Sequence, residues 1–580
     1  MKKITTALVA AAFALGFASC ESHLDIDQQG VVPQENFYKT PADAQSALTS
    51  AYYIAGRFLS NMMWAAQGTQ WNDSPLLSMW TYASDDIFVA GSDKTDGQSG
   101  QEIQSFVHDA NSGLITATYE CYYMIINACN LVICNFDENS SDAIIRRCVA
   151  EARVLRAQAQ LYLALGWGTA PIVDHILAGD EKPANAESQE YVLQWIANEC
   201  DAAIGSGALT SKSDVNDKMG AVIVTKEYAY ALKGKALLNK KDYTGAKKAL
   251  WETIKSGKYE LLAGADMVKL NHFSGRANKE VVFELNYQYE GSLGNYGRTQ
   301  PNFRFLWNWR MDKMLPPTGA GTEVYNNGWG WCNPSKKFID KLLEWDGSDS
   351  YRRKAWVKSY DEVLYDMPYL SDAECSTMDQ KQKDSKRGVN AATGLYAHCG
   401  YFMWKRLFRQ EDAVPENGDV ANWNTNVMRY AEVLLMYAEA CAMTNDNDGT
   451  GLKALKDVNE RANAKTKVTA CDMATVKTEK FLECWLDGTR FQDLVRWGDA
   501  KKELGDGGKY YPNFKDHFFD EDAATKTATH QGYLDESDAD WCVKAKGTGI
   551  GFKEGKNELF PFPFTELNIN PNLKQNQGYN

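Results

Sequence analysis

Much of the chain repeats a spacing of apolar and small residues that predicts helix hairpins. In segment 225–261, small residues at Ala229 and Ala236 precede a turn at 240–242, and Tyr243 follows that turn. Small residues at a helix contact let two backbones approach closely, and the aromatic side chain after the turn fills the end of the pair. This pattern is typical of a tetratricopeptide-type repeat.

Three other segments show related helical patterns. Segment 429–464 predicts two helices joined by a polar turn that contains glycine, segment 143–168 predicts one long helix, and segment 478–504 predicts the last helix. Long stretches without helical periodicity interrupt them. Loops of such length inside a compact protein are usually functional or disordered, and their many aromatic residues argue against disorder.

The patterns together predict a mainly α fold. Tetratricopeptide-like helix hairpins form a scaffold, and long insertions that are rich in loops and contain short β-strands interrupt it. The predicted organisation is a signal peptide at 1–19, scaffold at about 20–60, 101–285 and 423–505, insertions at about 62–100 and 286–422, and a C-terminal packing tail at 506–580.

One stretch of the second insertion, NFRFLWNWRM (302–311), places aromatic residues at alternate positions. In an extended strand they share one face, opposite Arg304 and Arg310. Phenylalanine has no polar group, so Phe303 and Phe305 are predicted to belong to the core. For Trp307 and Trp309, core packing and ligand contact are equally open.

The N-terminus reads as an export signal. Two lysines precede an apolar stretch, and Ser19-Cys20 then leads into a polar sequence. A small residue directly before a cysteine resembles a bacterial lipobox, which predicts that Cys20 becomes a lipid-bearing N-terminus; the alternative is an ordinary secretory signal. No later segment is apolar over the 18 or more residues that a membrane helix needs.

Composition excludes several classes of function. The chain has 580 residues and a net charge of −14, which argues against nucleic acid as a partner because phosphate binding needs clustered lysine and arginine. The thirteen cysteines form no C-x-x-C pair and no set at zinc spacing. Buried free thiols are predicted at five of them, namely Cys129, Cys148, Cys200, Cys441 and Cys484. No metal site and no cofactor is predicted.

An enzyme, most plausibly a glycosidase, is the rival from another class. Carboxylates are plentiful at Asp85, Asp86, Asp346 and Asp349, but glycoside hydrolysis needs two carboxyl groups at a defined separation across a cleft. The chain has no G-x-S-x-G, H-E-x-x-H or phosphate-loop motif, and its seven histidines are scattered. We therefore predict that the protein is not an enzyme and has no catalytic residue.

Four stretches, in order along the chain, resemble the SusD/RagB family of outer-membrane nutrient-binding lipoproteins of Bacteroidetes. They are the lipidated start at 20–53, the helix and Gly-Pro turn at 153–173, WLDGTRFQDLVRWG at 485–498 and the Pro-x-Pro to Gly-Tyr tail at 559–579. One departure lies before the third stretch, where Lys480 and Cys484 occupy positions at which the family often has other charged residues. The sequence therefore leaves an ion-pair network there in doubt.

The resemblance implies a division of labour. The helical scaffold docks on a SusC-like TonB-dependent outer-membrane transporter, over which the lipid-anchored protein acts as a lid at the cell surface. The insertions carry the ligand site, and the ligand is an oligosaccharide in many members and a peptide in some. The residues alone do not separate glycan binding from peptide binding.

Sugar binding needs flat aromatic side chains for the C–H faces of pyranose rings and polar groups for their hydroxyls. Both insertions supply these, whereas Trp329 and Trp331 are favoured as part of a packed turn. The predicted ligand-binding residues are Trp71, Asn72, Asp73, Trp80, Tyr82, Tyr296, Arg298, Asn302, Trp307 and Trp309.

Two further motifs point to structure rather than to ligand binding. In 485–498 the helical spacing predicts a core stripe of apolar residues, with Arg490–Asp493 and Asp493–Arg496 pairs on the helix surface. In the tail, the prolines on both sides of Phe562 predict a rigid extended segment that packs on the body. The acidic sequence at 446–449 copies a fragment of a calcium loop but is favoured as a repeat turn.

Overall fold

The structure is a computed structural model, and the elements below belong to the residues that it describes. These are residues 37–60, 73–89, 97–287, 306–308, 328–359, 362, 401–414, 417–421, 424–446, 448–505, 508–512, 521–522, 527–528, 542–544 and 549–579. The predicted signal peptide and Cys20 lie outside them.

The described residues form 17 α-helices and a few short strands, which confirms the mainly α prediction. The helices are α1 (Pro41–Ser60), α2 (Ser78–Tyr82), α3 (Gln98–Gln104), α4 (Gly113–Ile133), α5 (Ala143–Trp167), α6 (Gln189–Gly205), α7 (Met219–Val222), α8 (Lys226–Asn239), α9 (Tyr243–Lys255), α10 (Lys336–Trp345), α11 (Tyr351–Trp356), α12 (Tyr430–Met443), α13 (Thr450–Arg461), α14 (Met473–Glu483), α15 (Arg490–Trp497), α16 (Ala500–Leu504) and α17 (Phe564–Ile569).

The strands pair two by two and antiparallel. They are β1 (Ile87–Phe88) with β3 (Asn333–Pro334), β2 (Val281–Asn286) with β8 (Asn424–Arg429), β4 (Val357–Ser359) with β5 (Tyr401–Met403), β6 (Ala413–Val414) with β7 (Asn417–Ala421), β9 (Tyr510–Pro512) with β12 (Cys542–Lys544), and β10 (Glu521–Asp522) with β11 (Thr527–Ala528). Among the described helices, none combines the length and the apolar composition needed to cross a membrane.

The scaffold is a continuous series of packed helices. Helix α1 packs on α4 and α5, α5 on α6, α6 on α8, α8 on α9, α9 on α12, and α12 on α13 and α14. The hairpin predicted at 225–261 is α8 and α9, joined at 240–242, and the hairpin predicted at 429–464 is α12 and α13. Gly234 allows the close contact in the first hairpin, because a Cβ there would lie 2.5 Å from Leu250 Cγ.

The single helix predicted for 478–504 is wrong, because the structure has α14, α15 and α16 there. Leu486 and Gly488 adopt φ values of 61° and 70°, which end the right-handed helix. A Cβ on Gly488 would lie 3.0 Å from the Leu76 carbonyl oxygen, so the turn packs directly against the first insertion. The helix is therefore broken where this turn packs on the first insertion, and the helical periodicity of the sequence does not reveal the break.

The first insertion contributes to the core. Every residue from 73 to 89 is buried, and these residues join one hydrophobic cluster with the scaffold helices and the tail. The segment includes two short elements, α2 and β1, although the sequence lacks helical periodicity there. The five thiols predicted to be buried and free are so in the structure.

The packing predicted for the proline-flanked tail is confirmed. Phe560 and Phe562 are buried, and the Phe560 amide donates a hydrogen bond to the Gly166 carbonyl oxygen at 2.7 Å. Trp167 Nε1 donates to the carbonyl oxygen of Pro561 at 2.8 Å. Phe560 and Pro561 therefore cover the C-terminal end of α5.

A network of buried charges, which we call the Glu483 network, joins the scaffold to the second insertion. Glu483 accepts hydrogen bonds from Arg461 Nη2 at 2.6 Å, Arg429 Nη1 at 3.0 Å and Arg352 Nη1 at 3.3 Å. The network consists of Glu280, Asp346, Glu479, Glu483 and Asp487 with Arg352, Lys405, Arg406, Arg429 and Arg461. Five acidic groups thus face five basic groups.

The doubt that the sequence raised about ion pairing before the 485–498 motif is therefore resolved in favour of a network. Lys480 also takes part in a neighbouring cluster, in which its Nζ donates to Asp493 Oδ1 at 2.8 Å and Arg496 pairs with both Asp493 and Glu439. The predicted Asp493–Arg496 pair exists, but it is buried rather than on the helix surface. Arg490 binds Asp85 at 2.7 Å, which corrects the predicted pairing with Asp493.

We predict that Glu483→Gln lowers the free energy of unfolding at pH 7 by about 3–5 kcal/mol, because it leaves buried guanidinium groups without their counter-charge. Burial alone would raise the pKa of Glu483, but Arg461, Arg429 and Arg352 outweigh it and lower the pKa to about 2. Its stabilisation is therefore present above the unfolded-state pKa of about 4.3 and is lost as the pH falls towards 2. Urea denaturation between pH 7 and pH 2 measures both effects.

The matched control is Glu260→Gln, which removes an ion pair with Lys279 from a surface site. It should change stability by less than about 1 kcal/mol. Equal stability of Glu483→Gln and the unmodified protein at pH 7 would contradict the proposed weight of the network.

Candidate functional site

The structure brings together residues of both insertions that the sequence assigned to the ligand site. Tyr82 Oη donates a hydrogen bond to Asp73 Oδ1 at 2.7 Å, and Trp307 Nε1 donates to Tyr82 Oη at 3.2 Å. Trp331 packs edge-on against Tyr82, with ring centroids 5.8 Å apart. We call these four residues the Tyr82 cluster. All four are buried.

Backbone hydrogen bonds fix the turn that carries Trp331, directly before β3. The Trp331 amide donates to the Leu306 carbonyl oxygen at 3.0 Å, and the Cys332 amide donates to the Phe88 carbonyl oxygen at 3.1 Å. Gly97 has φ of +66°, and a Cβ there would lie 2.0 Å from the Trp331 ring. Only glycine therefore lets the indole lie against that backbone.

Among the described residues near the cluster, Trp329 is an exposed aromatic, with 45% of its surface accessible. The Gly330 amide donates to the Asn308 carbonyl oxygen at 2.7 Å, so the Trp329 backbone is attached to the same 306–308 segment. In a straight strand Trp329 and Trp331 would share a face, but φ of 78° at Gly330 turns one outward and the other inward. The sequence favoured a packed turn for both; Trp331 is buried, whereas Trp329 is 45% exposed.

Burial controls the ionisation of the cluster. It raises the pKa of Asp73 to about 6, although hydrogen bonds with Tyr82 and Ser78 act in the opposite direction. Burial also raises the pKa of the Tyr82 hydroxyl well above its usual value, so this group stays a neutral donor. The polar atoms of Asp73 and Tyr82 therefore form a hydrogen bond with each other inside the protein.

The placement predicted for Trp80 is corrected by the structure. Trp80 is completely buried, its Nε1 donates to Tyr122 Oη at 3.1 Å, and its ring packs edge-on against Phe560. Trp80, Tyr82 and Trp307 present no open face for stacking in this structure.

The polar residues around Trp80 explain the difference. In the sequence they suggested a surface loop, but the structure uses them for buried hydrogen bonds and ion pairs. Ser74 Oγ donates to the Leu59 carbonyl oxygen at 2.7 Å, and Asp85 binds Arg490. These partners are remote in sequence, so the local pattern carries no sign of them.

The remaining predicted ligand residues and the lipid site lie outside the described residues. They are Trp71, Asn72, Tyr296, Arg298, Asn302, Trp309 and Cys20.

The carboxylates of the glycosidase hypothesis do not form an open pair. Asp85 and Asp346 are buried in ion pairs with arginines, and Asp86 is buried beside Ser84. Asp349 lies at the surface beside Lys354. Within the described parts of the chain, no group of three or more His, Cys, Asp or Glu residues is placed to hold a metal ion.

The scaffold and the candidate site together define a class of protein. In this class a tetratricopeptide-like helical scaffold carries aromatic insertions, and the C-terminal tail packs on the scaffold. Residues 279–579 match the family model described as the SusD family. This match covers more than half of the chain, and the protein belongs to the SusD family.

Two relatives extend the similarity over more of the chain. A SusD-like protein of Bacteroides ovatus is 25% identical over 98% of this chain and 97% of its own length. SusD-like protein P2 of Formosa agariphila is 24% identical over 76% of this chain and 78% of its own length.

Solved structures share the fold. A laminarin binding SusD-like protein superposes with a TM-score of 0.67 at 21% identity, over 93% of this chain and all of the other. Surface glycan-binding protein A from Bacteroides thetaiotaomicron, in complex with laminarihexaose, superposes with a TM-score of 0.68 at 21% identity and the same coverage.

We predict that Tyr82→Phe lowers the free energy of unfolding by about 1–3 kcal/mol, because Trp307 Nε1 and the Asp73 carboxyl lose a buried hydrogen-bond partner. Urea denaturation at pH 7 measures the change. Tyr191→Phe, at a tyrosine that is 50% exposed, is the control and should be neutral. A neutral Tyr82→Phe would show that the hydroxyl does not hold the cluster together.

Proposed function

We propose that this protein is a non-catalytic, cell-surface glycan-binding lipoprotein that captures oligosaccharide and delivers it to a SusC-like TonB-dependent transporter. Membership of the SusD family is the observation that carries the proposal. The laminarihexaose complex of a protein with the same fold supports carbohydrate as the ligand class.

The proposed binding face is centred on Trp329. An exposed indole offers a flat apolar surface to the C–H face of a pyranose ring, and the neighbouring Trp331, held in the Tyr82 cluster, fixes the chain beside it. In the sequence, Trp71 and Asn72 directly precede Asp73, and Trp309 directly follows Asn308. Trp71, Asn72, Tyr296, Arg298, Asn302 and Trp309 would then add further stacking and hydrogen bonds.

The same arrangement supports binding without hydrolysis. A glycosidase needs an acid and a nucleophile or base that both reach the glycosidic bond. Asp85 and Asp346 are instead held in buried ion pairs, which supports a structural role for them.

We predict that Trp329→Ala and Trp71→Ala each weaken oligosaccharide binding by about 1–3 kcal/mol, or roughly 5- to 150-fold, by analogy with base stacking on aromatic side chains. Isothermal titration calorimetry with laminarihexaose, and with a panel of other oligosaccharides, measures the affinity. Product analysis of the same mixtures should find every oligosaccharide intact.

The control is Tyr191→Ala, at an exposed aromatic residue of α6. Its affinity should equal that of the unmodified protein, and all variants should keep the unmodified melting temperature. Unchanged affinity of Trp329→Ala for every bound oligosaccharide would remove Trp329 from the binding face.

We predict that Cys20→Ser moves the protein from the outer-membrane fraction to the soluble fraction. The thiol is the proposed lipid attachment point, and stable anchoring depends on the burial of acyl chains. Labelling of cells with a palmitate analogue, followed by fractionation, measures both. Cys134→Ser, at an exposed cysteine, is the control. Equal labelling of Cys20→Ser and the unmodified protein would refute the anchor.

A further inference from the structure

A cavity lies on the helical scaffold, between α9 and the turn that joins α12 to α13. Its volume is 650 Å³, within the usual range for small-molecule sites. Its lining includes Lys247, Lys248, Trp251, Tyr437, Asp446 and Asp448. None of these residues belongs to the Tyr82 cluster or to the proposed face around Trp329.

An aromatic platform forms one wall of the cavity. Trp251 is 37% exposed, and its ring stacks on Tyr437 with centroids 5.4 Å apart and an angle of 29°. Tyr437 is buried, and its hydroxyl is 2.7 Å from Thr450 Oγ1. Tyr437, which is held in place, thus packs against the exposed indole of Trp251. Because the indole is already ordered, a ligand that stacks on it would cause a smaller loss of side-chain entropy.

The charges around the platform balance. Lys247 forms ion pairs with both Asp446 and Asp448, and Lys248 adds a further positive charge at the exposed edge. Two lysines and two aspartates therefore line the cavity. An anionic ligand would meet the carboxylates and a cationic one would meet the lysines, so the balance favours an uncharged ligand.

The polar groups suit a ligand with many hydroxyls. Asp448 Oδ1 already accepts from the Thr450 amide at 2.8 Å, which fixes that side chain, and each carboxylate has about four acceptor positions. Thr244, Thr444 and Asn445 add neutral donors and acceptors to the lining. A purely apolar ligand would displace water from these groups without replacing the hydrogen bonds of that water.

We propose that this cavity is a second carbohydrate site, in which a neutral pyranose unit stacks on Trp251 while the lysines and aspartates bind its hydroxyls. The site goes beyond the proposed function, because it is on the scaffold rather than on the insertions. A long glycan would then be held at two separate places on one protein.

The test uses the full chain labelled with 5-fluorotryptophan and fluorine NMR, with laminarihexaose, maltohexaose and cellohexaose as probes. The resonances of Trp251 and Trp329 are assigned from Trp251→Phe and Trp329→Phe. We expect at least one probe to shift the Trp251 resonance saturably. A Trp329 resonance that moves while Trp251 stays fixed with every probe would overturn the scaffold site and leave the proposed function intact.

Calorimetry in the Trp329→Ala background measures the affinity of the scaffold site. Adding Trp251→Ala should raise Kd for the shifting probe about tenfold or more, whereas Trp251→Phe should raise it less and Tyr191→Ala should not change it. An unchanged Kd in the folded Trp251→Ala variant, or tighter binding of an oligogalacturonate than of the neutral probes, would refute the proposal. The proposal would also be refuted if a partner protein, and no glycan, protected Trp251 from solvent.

Discussion

The structure depends on the balance of charge inside the Glu483 network. Isolated ions in a protein interior are strongly unfavourable, and here five acidic and five basic groups neutralise one another across elements that are far apart in sequence. The network connects α13 and α14 of the scaffold to β8, to α11 and to residues 405–406. Because Glu483, Arg352 and Arg429 each bind several oppositely charged partners, the network fixes how these elements pack on one another.

That arrangement positions the candidate binding face. The turn after α14 packs on the first insertion, where Trp485 Nε1 donates to the Asp86 carbonyl oxygen at 3.1 Å and Arg490 binds Asp85. Residues 73–89 are thereby fixed, and with them Tyr82. Tyr82 in turn holds Trp307 and Trp331, next to the exposed Trp329. The charged interior and the aromatic surface are thus parts of one connected structure.

Local pattern was enough to predict the scaffold, because helix hairpins bury their apolar and small residues at a period that the sequence repeats. The hairpins α8–α9 and α12–α13 and the tail around Phe562 follow from such signals. The burial of Trp80 could not be predicted in this way, since polar neighbours such as Asp85 are satisfied by partners hundreds of residues away. The outward turn of Trp329 depends on the positive φ of Gly330. The sequence shows that this residue is glycine, but it does not show which φ value the glycine adopts.

The contact between Trp167 and Pro561 joins positions that are 394 residues apart. The ring of Phe560 packs against both Trp80 and Trp167, so it covers the aromatic pocket that these residues form. A chain truncated by its last twenty or so residues would keep all of its repeat helices and yet expose that pocket. The native packing of this pocket therefore requires two parts of the sequence that lie far apart to meet, and it is not a property of the helices alone.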